Sequence, residues 1–218
     1  MQTSIGGAMN RFYAHCQQKN FADAPFHGNA AVLNFINTAK NSRRHDYLPS
    51  YDAFLYWCRE GGVIDGSTYL TLEFEAYCNP IEIQELHRQV IELRETLTEL
   101  FTALLHKTEL PVYAMPRINR WLATARQHLS YQVINGRPAT QWINIHEELA
   151  FPLWVLVLEA QELFDPVWLA KLKQCRGCGA LYLDVSKCRT RTWCSANACG
   201  KKLRNRRYYK KKVLGNNA

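Results

Sequence analysis

Five of the eight cysteines in this 218-residue chain crowd together near its C-terminus, between positions 175 and 199. Cys175 and Cys178 form a C-x2-C pair, Cys194 and Cys199 form a C-x4-C pair, and residues 179–193 lie between the two pairs. Four thiolates at such spacing are typical of a closed tetrahedral zinc site, which leaves no coordination position for catalysis. The spacing therefore predicts a structural zinc ion.

Three other uses of the same thiols stay open from the residues alone. A redox-active C-x2-C pair is usually set in a βαβ context, which this sequence lacks. Disulfides need an oxidising compartment, and iron accepts the same four thiolates as zinc. Zinc is favoured over all three. Cys188, between the two pairs, is interpreted as a non-ligand that could be sensitive to oxidation, and Cys16, Cys58 and Cys78 as small buried side chains.

The end of the chain that carries the cysteines is strongly cationic. Residues 171–218 contain 14 Lys and Arg against a single acid, Asp184, for a net charge of +13, whereas residues 1–170 carry −5. A cationic run without compensating acids favours nucleic acid as the partner, and double-stranded DNA in particular, over an acidic protein, a membrane surface or an inert tail. The predicted nucleic-acid contacts are Arg189, Arg191, Lys201, Lys202, Arg204, Arg206, Arg207, Lys210 and Lys211. Tyr208 and Tyr209 would suit base stacking, so RNA is the alternative partner.

The residues between the cysteine pairs predict how the thiols are positioned. Gly179 directly follows the second cysteine and can take the positive φ that a turn around a metal needs. The stretches "ALYLDVSK" (180–187) and "RTRTW" (189–193) are interpreted as two strands of a hairpin. Ser195 is expected to cap a helix that carries Cys199 and the basic residues. This plan is that of a small treble-clef-like finger, which depends on its metal because so short a segment buries little apolar surface.

Residues 1–170 are predicted to form a separate, mainly helical α+β domain, with residues 171–218 as the finger. After an irregular or weakly helical lead-in over residues 1–28, Ser50 is expected to cap a helix that Gly61 and Gly62 end. Asn79-Pro80 begins a long helix whose apolar stripe favours a core helix over a dimeric coiled coil. The stripe consists of Leu86, Val90, Leu93, Leu97, Leu100 and Leu104.

Four weaker patterns complete the large domain. Residues 67–77 fit either a helix or a strand, and residues 116–129 are predicted as a helix. Asn135-Gly136 lies between two runs rich in β-forming residues, which is typical of a β-hairpin. The stretch "HEELAFPLWVLVLEAQELF" (146–164) is apolar almost all round, as a buried helix would be.

Several classes of protein are disfavoured by what the sequence lacks. It has no run of about 18 apolar residues, which predicts no membrane span, and no signal peptide at its start, which predicts a cytoplasmic protein. Phosphate-loop, dinucleotide-binding and nucleophile-elbow motifs are missing, so we expect no enzyme. Asn37 and Thr38 follow a short apolar run and could either line a pocket for a small-molecule effector or cap a helix end.

The finger residues resemble a known family. The order C-x2-C, "YLDVSK", Trp-Cys-Ser and Cys-Gly before a basic helix is similar to the CGNR zinc finger of bacterial proteins. In that family the finger follows an α/β domain called ABATE, described as a stress-induced transcription regulator. The ABATE segment L-D-F-x-N-T is matched here by Leu33-Asn34-Phe35-Ile36-Asn37-Thr38. The resemblance implies the same four zinc ligands and a DNA-binding role.

Two motifs depart from the family pattern. Cys-Gly-Asn-Arg is replaced by Cys199-Gly200-Lys201-Lys202, and the usual Asp of the ABATE segment is Asn34. Metal binding should survive both changes, whereas any base contact by the Asn-Arg pair would be lost. The sequence thus predicts a zinc-finger transcription regulator whose N-terminal domain senses a signal or forms a homodimer. An RNA-binding protein and an enzyme with a pocket in the large domain are the alternatives.

Overall fold

The computed structural model describes residues 26–39 and 46–206 of the chain. The predicted lead-in and Cys16 lie largely outside them, as do Arg207, Lys210 and Lys211. The helices are α1 (Ala31–Ile36), α2 (Tyr51–Glu60), α3 (Gly66–Cys78), α4 (Pro80–His106), α5 (Ala114–Gln127), α6 (Phe151–Leu163) and α7 (Pro166–Leu169). The strands are β1 (Leu129–Ile134), β2 (Arg137–Trp142), β3 (Leu172–Gln174) and β4 (Leu181–Leu183).

The large domain is a helical core around α4, α6 and the short helix α1. Five residues of the apolar stripe of α4 are buried within the chain, and the last, Leu104, is partly buried against the same core. The prediction of a core helix is therefore confirmed. All six residues of α1 are buried. Helix α6 is apolar on nearly every face and buried, as its composition predicts.

The ends of the helices follow local signals with one exception. The Ser50 hydroxyl accepts a hydrogen bond from the Ala53 amide and begins α2, as predicted. Residues 67–77 belong to a helix, not a strand. Asn79 precedes α4, but its side chain does not cap that helix, because it donates instead to the Glu75 carbonyl at the end of α3. Proline at the first position of α4 is confirmed.

The β-hairpin of the large domain is confirmed. Strands β1 and β2 are antiparallel, and Ile134 pairs with Arg137 across Asn135-Gly136. Both turn residues have positive φ, 53° and 74°, which is the geometry of a two-residue hairpin turn. The preceding helix α5 ends at Gln127, so Leu129 belongs to β1 and not to the helix that was predicted to reach it.

The hairpin of the finger uses other residues than the sequence predicts. Strand β4 pairs with β3, which precedes the first cysteine pair, and Lys173 lies opposite Tyr182. The predicted partner stretch, residues 189–193, forms no strand, so that prediction is wrong. The reason is that the first cysteine pair supplies the hairpin turn: the Cys175 amide donates to the Ala180 carbonyl at 2.8 Å, and the Gly179 amide to the Cys175 carbonyl at 2.8 Å.

The cysteines of the large domain differ in burial. Cys58 is fully buried, as predicted, whereas Cys78 is exposed, because it lies on the outer side of the last turn of α3. Within residues 26–39 and 46–206, no helix is at once long enough and apolar enough to cross a membrane. The boundary at residue 170 stays a prediction.

Candidate metal centre and nucleic-acid interface

The four predicted ligands converge on one point. The sulfur atoms of Cys175, Cys178, Cys194 and Cys199 all lie within 4.8 Å of one another. Cys178 and Cys194 are 3.7 Å apart, and Cys194 and Cys199 are 3.9 Å apart. A tetrahedron with Zn–S bonds of about 2.3 Å has edges of about 3.8 Å. The sulfur positions therefore fit one zinc ion held by four thiolates.

The pKa shifts of the thiols favour a cation bound between them. Hydrogen bonds from Cys178 and Cys194 hold the pKa of Cys175 far below its usual value. Burial and the neighbouring Cys178 raise the pKa of Cys199 to about 12. The neighbouring thiols thus stabilise one thiolate, at Cys175, whereas burial and the nearby Cys178 oppose the ionisation of Cys199. A divalent cation removes this opposition, because each added thiolate then binds the metal.

Two glycines make room around the metal site. Gly179 has φ +77°, which confirms the predicted left-handed turn after Cys178. Gly177 faces the second cysteine pair so closely that a Cβ atom there would lie 3.0 Å from the Cys199 Cβ and 3.5 Å from Leu203. The loop of the first cysteine pair is therefore in direct contact with the start of the basic helix.

The second cysteine pair stands at the start of a helix, as predicted. The Ser195 hydroxyl accepts a hydrogen bond from the Ala198 amide and caps the turn. The turn over Ala196–Gly200 has π-helical hydrogen bonds, and residues 201–206 continue as an α-helix. We call residues 196–206 the basic helix. Cys199 thus ties its first turn to the metal site.

A buried carboxylate organises the loop between the cysteine pairs. Asp184 is fully buried and accepts hydrogen bonds from Lys173 Nζ at 2.6 Å, the Arg191 amide at 3.0 Å, and both the amide and the hydroxyl of Ser186. Burial alone would raise the pKa of Asp184, but the bonds from Lys173 and Ser186 outweigh it and lower the pKa to about 2. The ionised carboxylate joins residues 173, 186 and 191 into one unit.

Arg191 is placed inside the finger. Its guanidinium donates to the Cys194 carbonyl at 2.5 Å and to the Trp193 carbonyl at 3.3 Å, and it lies over the Tyr182 ring. The side chain that was predicted to bind nucleic acid thus fixes the backbone of a metal ligand. Its contact with nucleic acid stays a prediction.

The other predicted contacts are exposed wherever the structure describes them. Lys201, Lys202, Arg204, Arg206 and Arg189 are all open to solvent. Among the described residues, none of these five forms an ion pair. Leu203 points the opposite way, onto the loop of the first cysteine pair. The basic helix therefore presents an uncompensated cationic side, and its direction is fixed by the metal site.

Asn37 and Thr38 do not belong to the metal site and are buried, 3% and 0% exposed. The side-chain amide of Asn37 forms two hydrogen bonds with the backbone of Leu181. The Thr38 hydroxyl donates to the Phe35 carbonyl at the end of α1. Thr38 also accepts a hydrogen bond from Arg94, which forms a bidentate ion pair with Asp46. The hydroxyl bond of Thr38 to the Phe35 carbonyl fits the alternative prediction, a side chain that caps the end of a helix. An effector pocket at these residues stays a prediction.

Sequence reasoning missed three residues that shape the finger. In the sequence, Asp184 stands out only as the single acid of the basic end, Lys173 only contributes a charge, and Asn29 belongs to no motif. A lone acid inside a cationic segment could have indicated the role of Asp184, because such an acid is expected to pair with one of the neighbouring cations. The role of Asn29 depends on a partner 154 residues away and leaves no local signal.

Comparison with known families agrees with this geometry. The profile of ABATE, described as "Putative stress-induced transcription regulator", matches residues 29–165. The profile of the CGNR zinc finger matches residues 171–212. No curated protein matches the chain. The finger match and the four clustered sulfurs identify the metal as structural zinc. The chain therefore belongs to the ABATE family and carries a C-terminal CGNR zinc finger.

Proposed function

We propose that this protein is a transcription regulator that binds double-stranded DNA through the basic helix of its zinc finger. The observation that supports the proposal most strongly is the exposed, unpaired group of cations that the metal site holds in one direction. Phosphates would relieve the repulsion within that group, and counterion release would supply much of the affinity. Since four thiolates fill the zinc coordination, we also propose that the chain has no catalytic activity at this site.

The salt dependence of DNA binding tests the role of the basic helix. Neutralising about six phosphates gives a slope of log affinity against log salt near −5. Arg204→Gln/Arg206→Gln should make that slope less steep by about 2, because each lost phosphate contact removes about 0.9. Arg120→Gln/Arg137→Gln is the matched control, since both arginines are exposed in the large domain. Equal slopes for the test variant and the wild type would contradict the proposal.

The large domain is proposed to form a homodimer through one face of α3. This helix is apolar on two sides. Tyr69, Leu72 and Ala76 face the core, whereas Leu70, Phe74 and Tyr77 are 64%, 64% and 85% exposed. A helix apolar on opposite sides is typically covered on both.

Three properties of this exposed stripe, Leu70–Phe74–Tyr77, fit a second copy of the chain. Its three side chains are uncharged and two of them are aromatic, which is typical of interface cores. Glu73, which accepts a hydrogen bond from the Tyr69 hydroxyl, borders the stripe. An antiparallel partner would place Phe74 against its symmetry mate and Leu70 near the Tyr77 of the other copy. With about 200 Å² for a large side chain, the stripe exposes about 400 Å², half of the roughly 800 Å² per partner that a stable interface buries. Ile81, 85% exposed in the first turn of α4, extends the apolar surface.

Sedimentation of the zinc-loaded protein without DNA tests the dimer. The wild type should show twice the 25.3 kDa mass of the chain. Phe74→Glu should weaken the dimer by about 100-fold or more, because both rings of the central contact are lost and two carboxylates then face each other. Val133→Glu, at another exposed apolar residue, should leave it unchanged. If an equimolar mixture of Phe74→Glu and Phe74→Lys does not regain the dimer mass, the proposed crossing point is refuted.

A further inference from the structure

Strand β4 of the finger is shared between two hydrophobic cores. Its side chains alternate, as in any strand. Leu181 and Leu183 belong to the core of the large domain together with the helices. Tyr182, between them, packs with Cys175, Cys194 and the other residues around the metal. A shift of this three-residue strand therefore disturbs the metal site and the large domain together.

The backbone of β4 is bound on its outer edge by the large domain. The side-chain Nδ2 of Asn37 donates to the Leu181 carbonyl at 2.8 Å, and its Oδ1 accepts from the backbone amide of Leu181 at 2.9 Å. The Leu183 amide donates to the Gly28 carbonyl at 2.9 Å, and the Leu183 carbonyl accepts from the Asn29 side chain at 2.8 Å. We call these four bonds the finger clamp. The Asn37 side chain thus makes the two hydrogen bonds to Leu181 that a neighbouring β-strand would otherwise make.

The residues that form the clamp are themselves fixed. The Asn34 side chain accepts a hydrogen bond from the Gly28 amide at 2.7 Å and holds that residue beside β4. Helix α1, which ends just before Asn37, is bound at its other end by the Glu159 carboxylate of α6, which accepts from the Ala31 and Val32 amides. The clamp is therefore connected to the centre of the large domain and not to a free surface loop.

We propose that Asn37 is the positioning residue through which zinc occupancy of the finger and the state of the large domain influence each other. Zinc orders the loop of the first cysteine pair, and that loop is the turn between β3 and β4. Loss of zinc releases β4, which unpairs Asn37 and uncovers the core side of α1. By thermodynamic reciprocity, a change in the large domain that moves α1 weakens zinc binding. The basic helix is then no longer fixed through Cys199.

This coupling goes beyond the proposed DNA binding and does not depend on it. It gives the family segment around Asn37 a role inside the molecule. It also makes the finger a part of one cooperative unit, although the sequence predicts two domains. A signal at the large domain would reach the basic helix through four hydrogen bonds and two leucine side chains.

Hydrogen exchange on the full-length protein tests the proposal without nucleic acid. In the wild type, removal of zinc by a chelator should raise the exchange rate of residues 29–38 by about tenfold or more, since several hydrogen bonds of about 1 kcal/mol each are lost. The buried middle of α4, residues 93–101, is the internal reference and should change little. Unchanged exchange at 29–38, or an equal rise in both segments, would overturn the proposal.

Asn37→Asp tests the positioning role directly. A carboxylate still accepts from the Leu181 amide but cannot donate to its carbonyl. The zinc-loaded variant should bind one zinc ion by mass spectrometry yet exchange residues 29–38 as fast as the zinc-free wild type. Asn119→Ala, an exposed residue of α5, is the control. Asn29→Ala removes a single bond of the clamp and should give a smaller effect of the same kind, even if Asn37→Asp does not fold. A normal zinc response in the folded variants would refute the role of the clamp.

Discussion

Replacing Asp184 by Asn should weaken zinc binding although this residue does not touch the metal. The Asp184 Oδ2 atom accepts from Lys173 Nζ at 2.6 Å and from the Arg191 amide at 3.0 Å, while Oδ1 accepts from Ser186. An asparagine keeps the acceptor toward Ser186 but turns an NH2 group toward the other two donors. Two buried hydrogen bonds are then lost, and one of them binds a cation.

The expected cost follows from the burial of this pair. Removing one partner of a buried ion pair costs about 3 to 5 kcal/mol. Because the Lys173 side chain is 30% exposed and can turn toward water, we take about 3 kcal/mol at the low end of that range. Folding of a small finger is linked to metal binding, and a loss of about 1.4 kcal/mol corresponds to a tenfold loss of affinity. Zinc affinity should therefore fall by about 100-fold.

Competition with a chromophoric chelator measures this change. Asp165→Asn is the matched control, because Asp165 only caps the exposed start of α7 and asparagine caps a helix equally well. Its zinc affinity should equal that of the wild type. A zinc affinity of Asp184→Asn within about threefold of the wild type would refute the conclusion that this carboxylate holds the loop together.

Three further predictions concern other parts of the molecule. Burial, partly offset by the Val32 and Ala31 amides, raises the pKa of Glu159 to about 7 from 4.5, so the free energy of unfolding should fall as pH rises from about 4.5 to 7. In urea unfolding, the free energy of Glu159→Gln should depend less steeply on pH than that of the wild type. Burial also raises the pKa of Glu162, but this residue is present in both proteins and does not contribute to the difference. Equal pH dependence in the two proteins would contradict the prediction. Gly177→Ala should weaken zinc binding by about tenfold, since its Cβ would meet Cys199 at 3.0 Å and overpacking costs about 1 to 3 kcal/mol. Gly66→Ala is the control, because a Cβ there would have no atom within 4 Å. Equal zinc affinities of Gly177→Ala and the wild type would contradict the close approach. Cys188→Ser should leave one zinc per chain by mass spectrometry, because Cys188 is exposed and outside the four-sulfur cluster; loss of zinc would make it a ligand.

Local patterns were sufficient for the large helices and for the choice of zinc ligands. The 4-3-4-3-4 spacing of apolar residues in α4 and the cap at Ser50 express contacts within a few residues, so they can be read from the sequence. Two cysteine pairs at this spacing are typical of a four-thiolate zinc site, which is why the four sulfur atoms that cluster could be named from the sequence.

The partner of β4 could not be predicted in the same way. The stretch 189–193 is rich in Thr and Trp, which favours a strand, but the Arg191 amide donates to the Asp184 side chain. That bond replaces a strand ladder by a side-chain contact. Strand β3 has only three residues, and its pairing depends on the turn that the metal site imposes.

The contacts of Asn37 were beyond sequence reasoning for a different reason. Its partner Leu181 is 144 residues away, and a polar residue after an apolar run fits a pocket, a cap or a docking contact equally well. Asn34 shows the same limit. Its Oδ1 accepts from the Gly28 amide, yet its Nδ2 is buried without a hydrogen-bond partner among the described residues. Nothing in the structure explains why asparagine stands at this position instead of the family's aspartate.

Sequencing of retained genomic DNA tests the central claim most directly. The zinc-loaded protein is mixed with fragmented genomic DNA and excess RNA at near-physiological salt, and the bound fragments are sequenced. We expect a small set of strongly enriched sites that share a motif, with half-sites spaced by about 10 base pairs or a multiple if the α3 dimer forms. Uniform weak retention, or displacement of all DNA by the RNA, would contradict a sequence-specific DNA-binding regulator.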